Sequence, residues 1–180
     1  MLFCFLAVLV SGCATWNPIK AGKTEWKSGD FFAELPEGWH KSSNAAYFLY
    51  LTNDGPYLQN ISISKERTNK ELPNSKKKIT EGMLLEEVSD IVLDEMRLNK
   101  SFNNFELSEN KPASFGETEA FRLTYTFTND EYVKFKVIHY GFIHKKKYYE
   151  IRFQATTQHN LDKYDETFES FISSFKVEKM

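Results

Sequence analysis

Cysteine is scarce in this chain of 180 residues and is confined to its first thirteen. The two cysteines are Cys4 and Cys13, and the rest of the chain contains none. We therefore expect no disulfide framework and no cysteine-based zinc site. Long apolar runs are equally scarce. The longest covers residues 2–10, nine residues in all, which is about half of what a helix needs to cross a bilayer.

No charge of one sign dominates, because 23 basic residues stand against 25 acidic ones. This balance gives no electrostatic reason to expect a nucleic-acid partner. The glycines are isolated, and none belongs to a G-x-x-x-x-G-K-[ST] or G-x-G-x-x-G phosphate loop. No serine stands in a Gly-x-Ser-x-Gly turn. The sequence thus gives no indication of an enzyme and implies no cofactor.

The apolar run of residues 2–10 has the length of the apolar core of a secretory signal peptide. Small residues and a cysteine follow it, so that Val10-Ser11-Gly12-Cys13 resembles the lipobox of bacterial lipoproteins. In those signals the peptide is cut before the cysteine, whose thiol is acylated. The first three residues lack the Lys or Arg that usually precedes the apolar core. The alternative is a buried strand in which Cys13 is an ordinary core thiol.

The lipobox resemblance predicts a signal peptide over residues 1–12 and a lipid anchor on Cys13. Several acyl chains on one cysteine hold a protein stably at a membrane. Because Ala14 rather than Asp follows Cys13, we expect the outer membrane, on its periplasmic face. Residues 13–28 are polar and are predicted to form a flexible tether that spans roughly 20 Å.

Residues 29–180 are predicted to form a single domain. Apolar and polar residues alternate with a period of two along residues 121–127 and 148–155, which predicts strands. Further strands are predicted over residues 31–35, 47–51, 57–65 and 132–143. Apolar residues recur every three or four positions over residues 83–98 and again from residue 160, which predicts two helices. The fold class expected is α+β, with an antiparallel sheet flanked by helices.

Four phrases of the sequence resemble the PsbP-like superfamily, which includes PsbP, a Ran-binding import factor and bacterial DcrB-type lipoproteins. The phrases are FFAELPEGW, GMLLEEVSD, YYEIRFQAT and FESFISSFKV. The likeness covers about residues 29–177. It implies an α/β/α sandwich and a role in binding or assembly on larger complexes, and it implies no catalytic residues. Motifs of turn and packing carry it, so it implies fold more strongly than function.

The four histidines do not predict a metal site. His139 and His144 lie an odd number of residues apart on one predicted strand, so their side chains should point to opposite faces of the sheet. His40 and His159 lie in predicted loops.

Polar residues of the predicted strands are expected to share one face of the sheet and to offer a partner surface, on which Arg is a favoured contact residue. The candidates are Arg122, Lys134, Lys136, Glu150 and Arg152. If a helix covers this face, the same side chains are expected to pair internally. The lysine runs 76–78 and 145–147 are interpreted as solvated turns, with contact to anionic headgroups as the alternative.

These observations predict a lipid-anchored envelope protein that acts as a non-catalytic binding or assembly module. Its expected partners are the membrane, through the anchor, and a protein of the cell envelope. The alternative is a carrier of a small apolar ligand, which requires a lined cavity between sheet and helix.

Overall fold

The computed structural model describes residues 15–22, 24–44, 46–158 and 161–178. The predicted signal peptide, Cys13 and His159 lie outside the described residues. The elements follow in the order β1 Trp16–Pro18, β2 Thr24–Ser28, β3 Phe31–Leu35, β4 His40–Ser42, β5 Leu49–Thr52, β6 Gln59–Arg67, α1 Leu85–Arg97, β7 Asn103–Phe115, β8 Thr118–Thr128, β9 Lys134–His144, β10 Lys147–Thr156, α2 Leu161–Ser174 and β11 Lys176–Val177.

Eight of the strands form one sheet in the order β1-β4-β5-β6-β10-β9-β8-β7. Every neighbouring pair in this sheet is antiparallel. The remaining three strands form a small antiparallel sheet in the order β11-β3-β2. The predicted α+β fold class, an antiparallel sheet flanked by helices, is confirmed.

Helix α1 covers one face of the large sheet. Its glutamates Glu86 and Glu87 lie in the first turn, where carboxylates favour the positive end of a helix. The Glu87 carboxylate also accepts a hydrogen bond of 3.0 Å from the backbone N–H of Leu84. Val88 and Val92 turn inward and join the buried side chains of β8, such as Leu123. The predicted helix over residues 83–98 is therefore confirmed, and we call this side of the sheet the α1 face.

Helix α2 and the small sheet together cover the opposite face, which we call the α2 face. Phe168 of α2 stacks on Phe153 of β10, with ring centroids 5.1 Å apart. Phe31 of β3 lies 4.7 Å from Tyr149 and 5.9 Å from Phe175. Aromatic pairs at such separations add to the burial of apolar area. In the described part of the chain, no helix is both long and apolar enough to span a bilayer.

The predicted tether over residues 13–28 is wrong for the residues that the structure describes. Trp16 pairs with Ser42, which makes β1 the edge strand of the large sheet. Trp26 on β2 pairs with Ala33 and is buried, as is Ile19. These short strands contain too few apolar positions to show a clear period, so the sequence pattern alone did not reveal them.

Other strands also differ from prediction, and the short strands β4 and β11 were not predicted. The edge strand β7, thirteen residues long, was not predicted, because most of its side chains are exposed and polar. Strand β6 begins at Gln59 rather than at residue 57. Tyr57, which was predicted to begin this strand, lies in the turn before β6 with 88% of its surface exposed.

Gly141 on β9 makes space for two neighbouring side chains. A Cβ atom at this position would overlap the Phe121 ring and lie 2.8 Å from the Tyr148 hydroxyl. We predict that Gly141→Ala destabilises the protein by about 1–3 kcal/mol, because neither neighbour can move freely in a packed interior. Urea unfolding measures this loss. In Phe121→Leu the same glycine substitution should cost less, and an equal cost in both backgrounds would contradict the assigned clash.

Candidate functional site

The five predicted partner-surface residues lie on two opposite faces of the sheet, so the prediction of one shared face is wrong. Residues paired across neighbouring strands point to the same side. Arg122 pairs with Tyr140 on the α2 face. Lys136 and Lys134 lie an even number of residues from Tyr140 on β9, so they point to the same face. Arg152 pairs with His139 on the α1 face. Glu150 lies two residues before Arg152 on β10, so it points to the same face.

Arg122 on the α2 face is satisfied by its own neighbours. Its side chain is 16% exposed and is bound by the Glu109 carboxylate. It also donates hydrogen bonds of 2.9 Å to the Thr124 hydroxyl and 3.2 Å to the Tyr140 hydroxyl. This is the internal pairing that we expected for a covered face.

The two lysines of the α2 face lie at the start of β9. Lys134 is exposed and approaches Glu106 at 3.8 Å, whereas Lys136 is half-buried. Since Arg122 is engaged by Glu109, these three side chains do not form a joint free surface.

Glu150 and Arg152 on the α1 face lie in a different environment. The Ser64 hydroxyl donates a hydrogen bond of 2.5 Å to the Glu150 carboxylate. The other Glu150 oxygen lies 3.5 Å from Nε2 of His139, which is fully buried. The same nitrogen is 3.1 Å from the Tyr148 hydroxyl. Strands β6, β9 and β10 thus bring a polar cluster together beside α1.

Ser64, Tyr148, Glu150 and Arg152 form the floor of a cavity of about 280 Å³ between α1 and the sheet, which we call the Glu150–Arg152 cleft. Its lining residues come from β6, the loop after β6, α1, the segment after α1, and β10. They are Ser64, Lys65, Glu66, Leu72, Pro73, Asn74, Val92, Glu95, Met96, Asn99, Phe102, Tyr148, Glu150 and Arg152.

The two charged groups of the cleft hold each other in the ionised state. Burial acts to raise the pKa of Glu150, but Arg152, His139 and Ser64 outweigh it and lower that pKa below its usual range. Burial acts to lower the pKa of Arg152, and Glu150 outweighs it, so that pKa is raised. We conclude that the cleft presents a carboxylate and a guanidinium side by side at neutral pH.

His139 stays uncharged beneath this pair. Burial lowers the pKa of its imidazole to about 4, against an opposing effect of Glu150. Its Nδ1 atom is buried and has no hydrogen-bond partner among the described residues. A buried, neutral ring with a low pKa is poorly placed to exchange protons with a ligand in the cleft.

An aromatic group adjoins the cleft on the same face. Tyr50 pairs with Ser62, which pairs with Arg152, so all three share the α1 face. The Tyr50 ring stacks on Tyr47 with centroids 4.4 Å apart and lies 5.8 Å from Trp16. We call Trp16, Tyr47 and Tyr50 the aromatic corner. The sequence pattern did not indicate this group, because Trp16 falls within the predicted tether.

His139 and His144 follow the predicted geometry, whereas His40, which was predicted to lie in a loop, begins strand β4. His139 lies on the α1 face, whereas His144 lies on the other face and is 2.8 Å from the Asp30 carboxylate. Their placement on opposite faces is confirmed. Within residues 15–22, 24–44, 46–158 and 161–178, no three His, Cys, Asp or Glu side chains are grouped so as to hold a metal ion.

No protein-family model matches this chain, and no curated protein matches it. Solved structures do match. CyanoP, the PsbP of the cyanobacterium Synechocystis, superposes with a TM-score of 0.58 at 13% identity, over 87% of this chain and 93% of that one. The chain has the PsbP-like fold. This confirms the fold that the four sequence phrases implied, while the lipoprotein signal stays a prediction.

Two other solved structures share this PsbP-like fold. LpqN, involved in cell envelope biogenesis of Mycobacterium tuberculosis, matches with a TM-score of 0.59 at 10% identity, over 92% of both chains. A point mutant of the protein Mog1 matches with a TM-score of 0.55 at 10% identity, over 87% of this chain and 96% of that one. Identities this low establish the fold alone.

The buried His139 predicts a pH-dependent stability. As the pH falls below about 6.5, the imidazole gains a proton in the unfolded chain but not in the folded one, so folding stability is lost down to about pH 4. Between pH 7 and pH 5 the loss from this residue should be about 2 kcal/mol. Urea unfolding at the two pH values measures it.

His139→Gln cannot titrate and should remove this part of the pH dependence, whatever its stability at pH 7. The carboxylates contribute little in the same interval, because their ordinary pKa values lie below 5. An identical loss of stability in His139→Gln and in the wild type would contradict the assignment.

Proposed function

We propose that this protein is a non-catalytic binding or assembly module of the bacterial cell envelope, anchored by acylated Cys13 at the periplasmic face of the outer membrane. Its partner is a protein of an envelope complex. The Glu150–Arg152 cleft carries the proposal, because it offers opposite charges in fixed positions at a half-open cavity bordered by tyrosines. Arg and Tyr are enriched at sites where proteins bind one another.

The state of the charged groups supports recognition over catalysis. A general acid or base works best with a pKa near the operating pH. In the cleft the pKa of Glu150 is lowered and that of Arg152 is raised, so both shifts move away from neutrality. Such groups favour a partner that brings complementary charges, which adds specificity to binding.

The envelope location rests on the sequence around Cys13. The apolar core of residues 2–10 and the Val10-Ser11-Gly12-Cys13 sequence at its end resemble the signal of exported bacterial lipoproteins. LpqN, which has the same fold, is involved in cell envelope biogenesis in its own organism. That function belongs to LpqN, and it makes an envelope role a reasonable hypothesis for this chain.

A second candidate function, carriage of a small apolar ligand, is favoured by the walls of the same cavity. Leu72, Val92, Met96 and Phe102 line it opposite the charged floor. A ligand with an apolar body and one polar end would match this lining. A volume of about 280 Å³ lies just below the usual range for ligand pockets.

A bulky substitution that fills the cleft tests whether the partner binds there or elsewhere on the surface. Asn99 lines the cleft, whereas its exposed neighbour Lys100 does not. We predict that Asn99→Trp loses a partner crosslinked to the wild type in living cells, while Lys100→Trp retains it. Quantitative mass spectrometry of the affinity-purified protein measures both. Equal recovery from the two variants would contradict a binding role for the cleft.

The same pair of variants tests the second candidate. A small ligand retained by the purified wild type and by Lys100→Trp, but lost from Asn99→Trp, would favour carriage. Native mass spectrometry detects such a ligand.

The lipid anchor has its own test. Cys13→Ala, exported with a cleavable secretion signal, should fractionate with the periplasm, whereas the wild type should fractionate with the membrane. The intact mass of the wild type should exceed that of its mature polypeptide by the acyl groups. An unmodified wild-type mass would contradict the anchor.

A further inference from the structure

The β1 edge of the large sheet lies close in sequence to the predicted anchor. A role for this edge at the membrane rests on the proposed acylation of Cys13. Trp16, the first residue of β1, follows Cys13 by three residues. Three residues of fully extended chain span at most about 11 Å. Because β1 is an edge strand and not part of a long tether, an acylated Cys13 holds this edge next to the bilayer.

The side chains at this edge suit the membrane interface. Trp16 is 37% exposed and packs on Tyr50 in the aromatic corner. Tyr57, which is 88% exposed, lies in the turn that joins β5, the strand of Tyr50, to β6. Tryptophan and tyrosine favour the headgroup region, where the ring is apolar and its polar atom stays hydrated.

The chain segments that include this edge carry lysines and no carboxylates. Residues 14–24 and 38–53, which include β1, β4 and β5, contain Lys20, Lys23 and Lys41 and no Asp or Glu. Carboxylates flank these segments, where Glu37 accepts a hydrogen bond from the backbone N–H of Gly22 and Asp54 follows β5. Lysines near a negatively charged bilayer each contribute about 1 kcal/mol of attraction.

We propose that the β1 edge, with the aromatic corner and Tyr57, faces the lipid headgroups. Tyr57 lies two to three strand positions, about 10–14 Å, from β1, so the sheet stands on the membrane tilted in its own plane toward the Pro18 end of β1, where the β5–β6 turn lies. At about 4.8 Å between strands, β10 and the Glu150–Arg152 cleft lie about 19 Å from this edge along the sheet, and β7 lies about 34 Å from it. The cleft then opens parallel to the bilayer. A partner protein within the periplasm can reach it without contacting lipid.

The test uses residues 13–180, in which Cys13 is the sole thiol, coupled to a maleimide lipid in vesicles of phosphatidylethanolamine and phosphatidylglycerol. Trp26 and Trp39 are buried, so the emission difference between wild type and Trp16→Phe reports on Trp16. We expect brominated lipids to quench this difference emission, and we expect it to shift to shorter wavelength. Unquenched emission at the wavelength of water-exposed tryptophan would overturn the proposal.

A short tether brings Trp16 near the lipid whether or not the edge binds there. A second arm of the experiment therefore tests whether the edge has its own affinity for the lipid. In this arm Cys13 is coupled through a long, flexible polyethylene glycol spacer. Retained quenching supports a membrane-binding edge, and its loss overturns the proposal.

Two tyrosines of similar exposure serve as a matched pair in this second arm. Tyr57→Ser should weaken the quenching. Tyr132→Ser should not, because Tyr132 is 92% exposed in the β8–β9 turn, five strand positions from β1. Equal effects of the two substitutions would overturn the assigned surface.

Because the lipid is attached chemically, these results do not depend on acylation in the cell. An unmodified mass of the wild-type protein from cells would contradict the proposed anchor while leaving the affinity of the edge for lipid measurable. A modified mass with no quenching in the spacer arm would contradict the edge inference alone.

Discussion

The central strand β9 buries both of its faces, and the rest of the structure is arranged around this requirement. Every residue from Val137 to Phe142 on β9 is buried. A strand in this position needs a cover on each side, and every polar side chain on it needs a partner. Helix α1 provides one cover, and α2 together with the small sheet provides the other.

The two covers differ in composition, and this difference produces the cleft. The α2 face under Phe31 and Phe168 is almost wholly aromatic and aliphatic. On the other face, α1 packs over β7 and β8, and β10 lies at the margin of that packing. Polar side chains can remain at such a margin if they satisfy one another. Glu150 and Arg152 do so with the help of Ser64, and the buried His139 remains neutral below them.

The first strand links this architecture to the predicted membrane anchor. A flexible tether would have left the orientation of the domain free. Pairing of Trp16 with Ser42 instead fixes the chain at the sheet edge within a few residues of Cys13. Because a sheet is stiff along its hydrogen-bonding direction, an edge held at the membrane also sets the distance of the cleft from it. Strand β1 therefore links the proposed membrane anchor to the sheet that carries the proposed binding cleft.

The sequence by itself determined the elements that have a strong period. The alternation along residues 121–127 and 148–155, and the three-and-four spacing over residues 83–98, predicted strands and a helix that are present. The odd spacing of His139 and His144 likewise predicted their opposite faces. These patterns suffice because a single strand or helix fixes its own side-chain directions through its backbone geometry.

Only the tertiary structure decided which side chains of neighbouring strands lie on the same face of the sheet. The turns between β8, β9 and β10 set the register, and a change of one residue would exchange the faces. For this reason Arg122 and Arg152, which looked equivalent in the sequence, lie on opposite sides of the sheet. The edge strands β1 and β7 carry little apolar pattern because half or more of each is exposed to solvent. Their strand conformation depends on hydrogen bonds to β4 and β8, which a local pattern does not show.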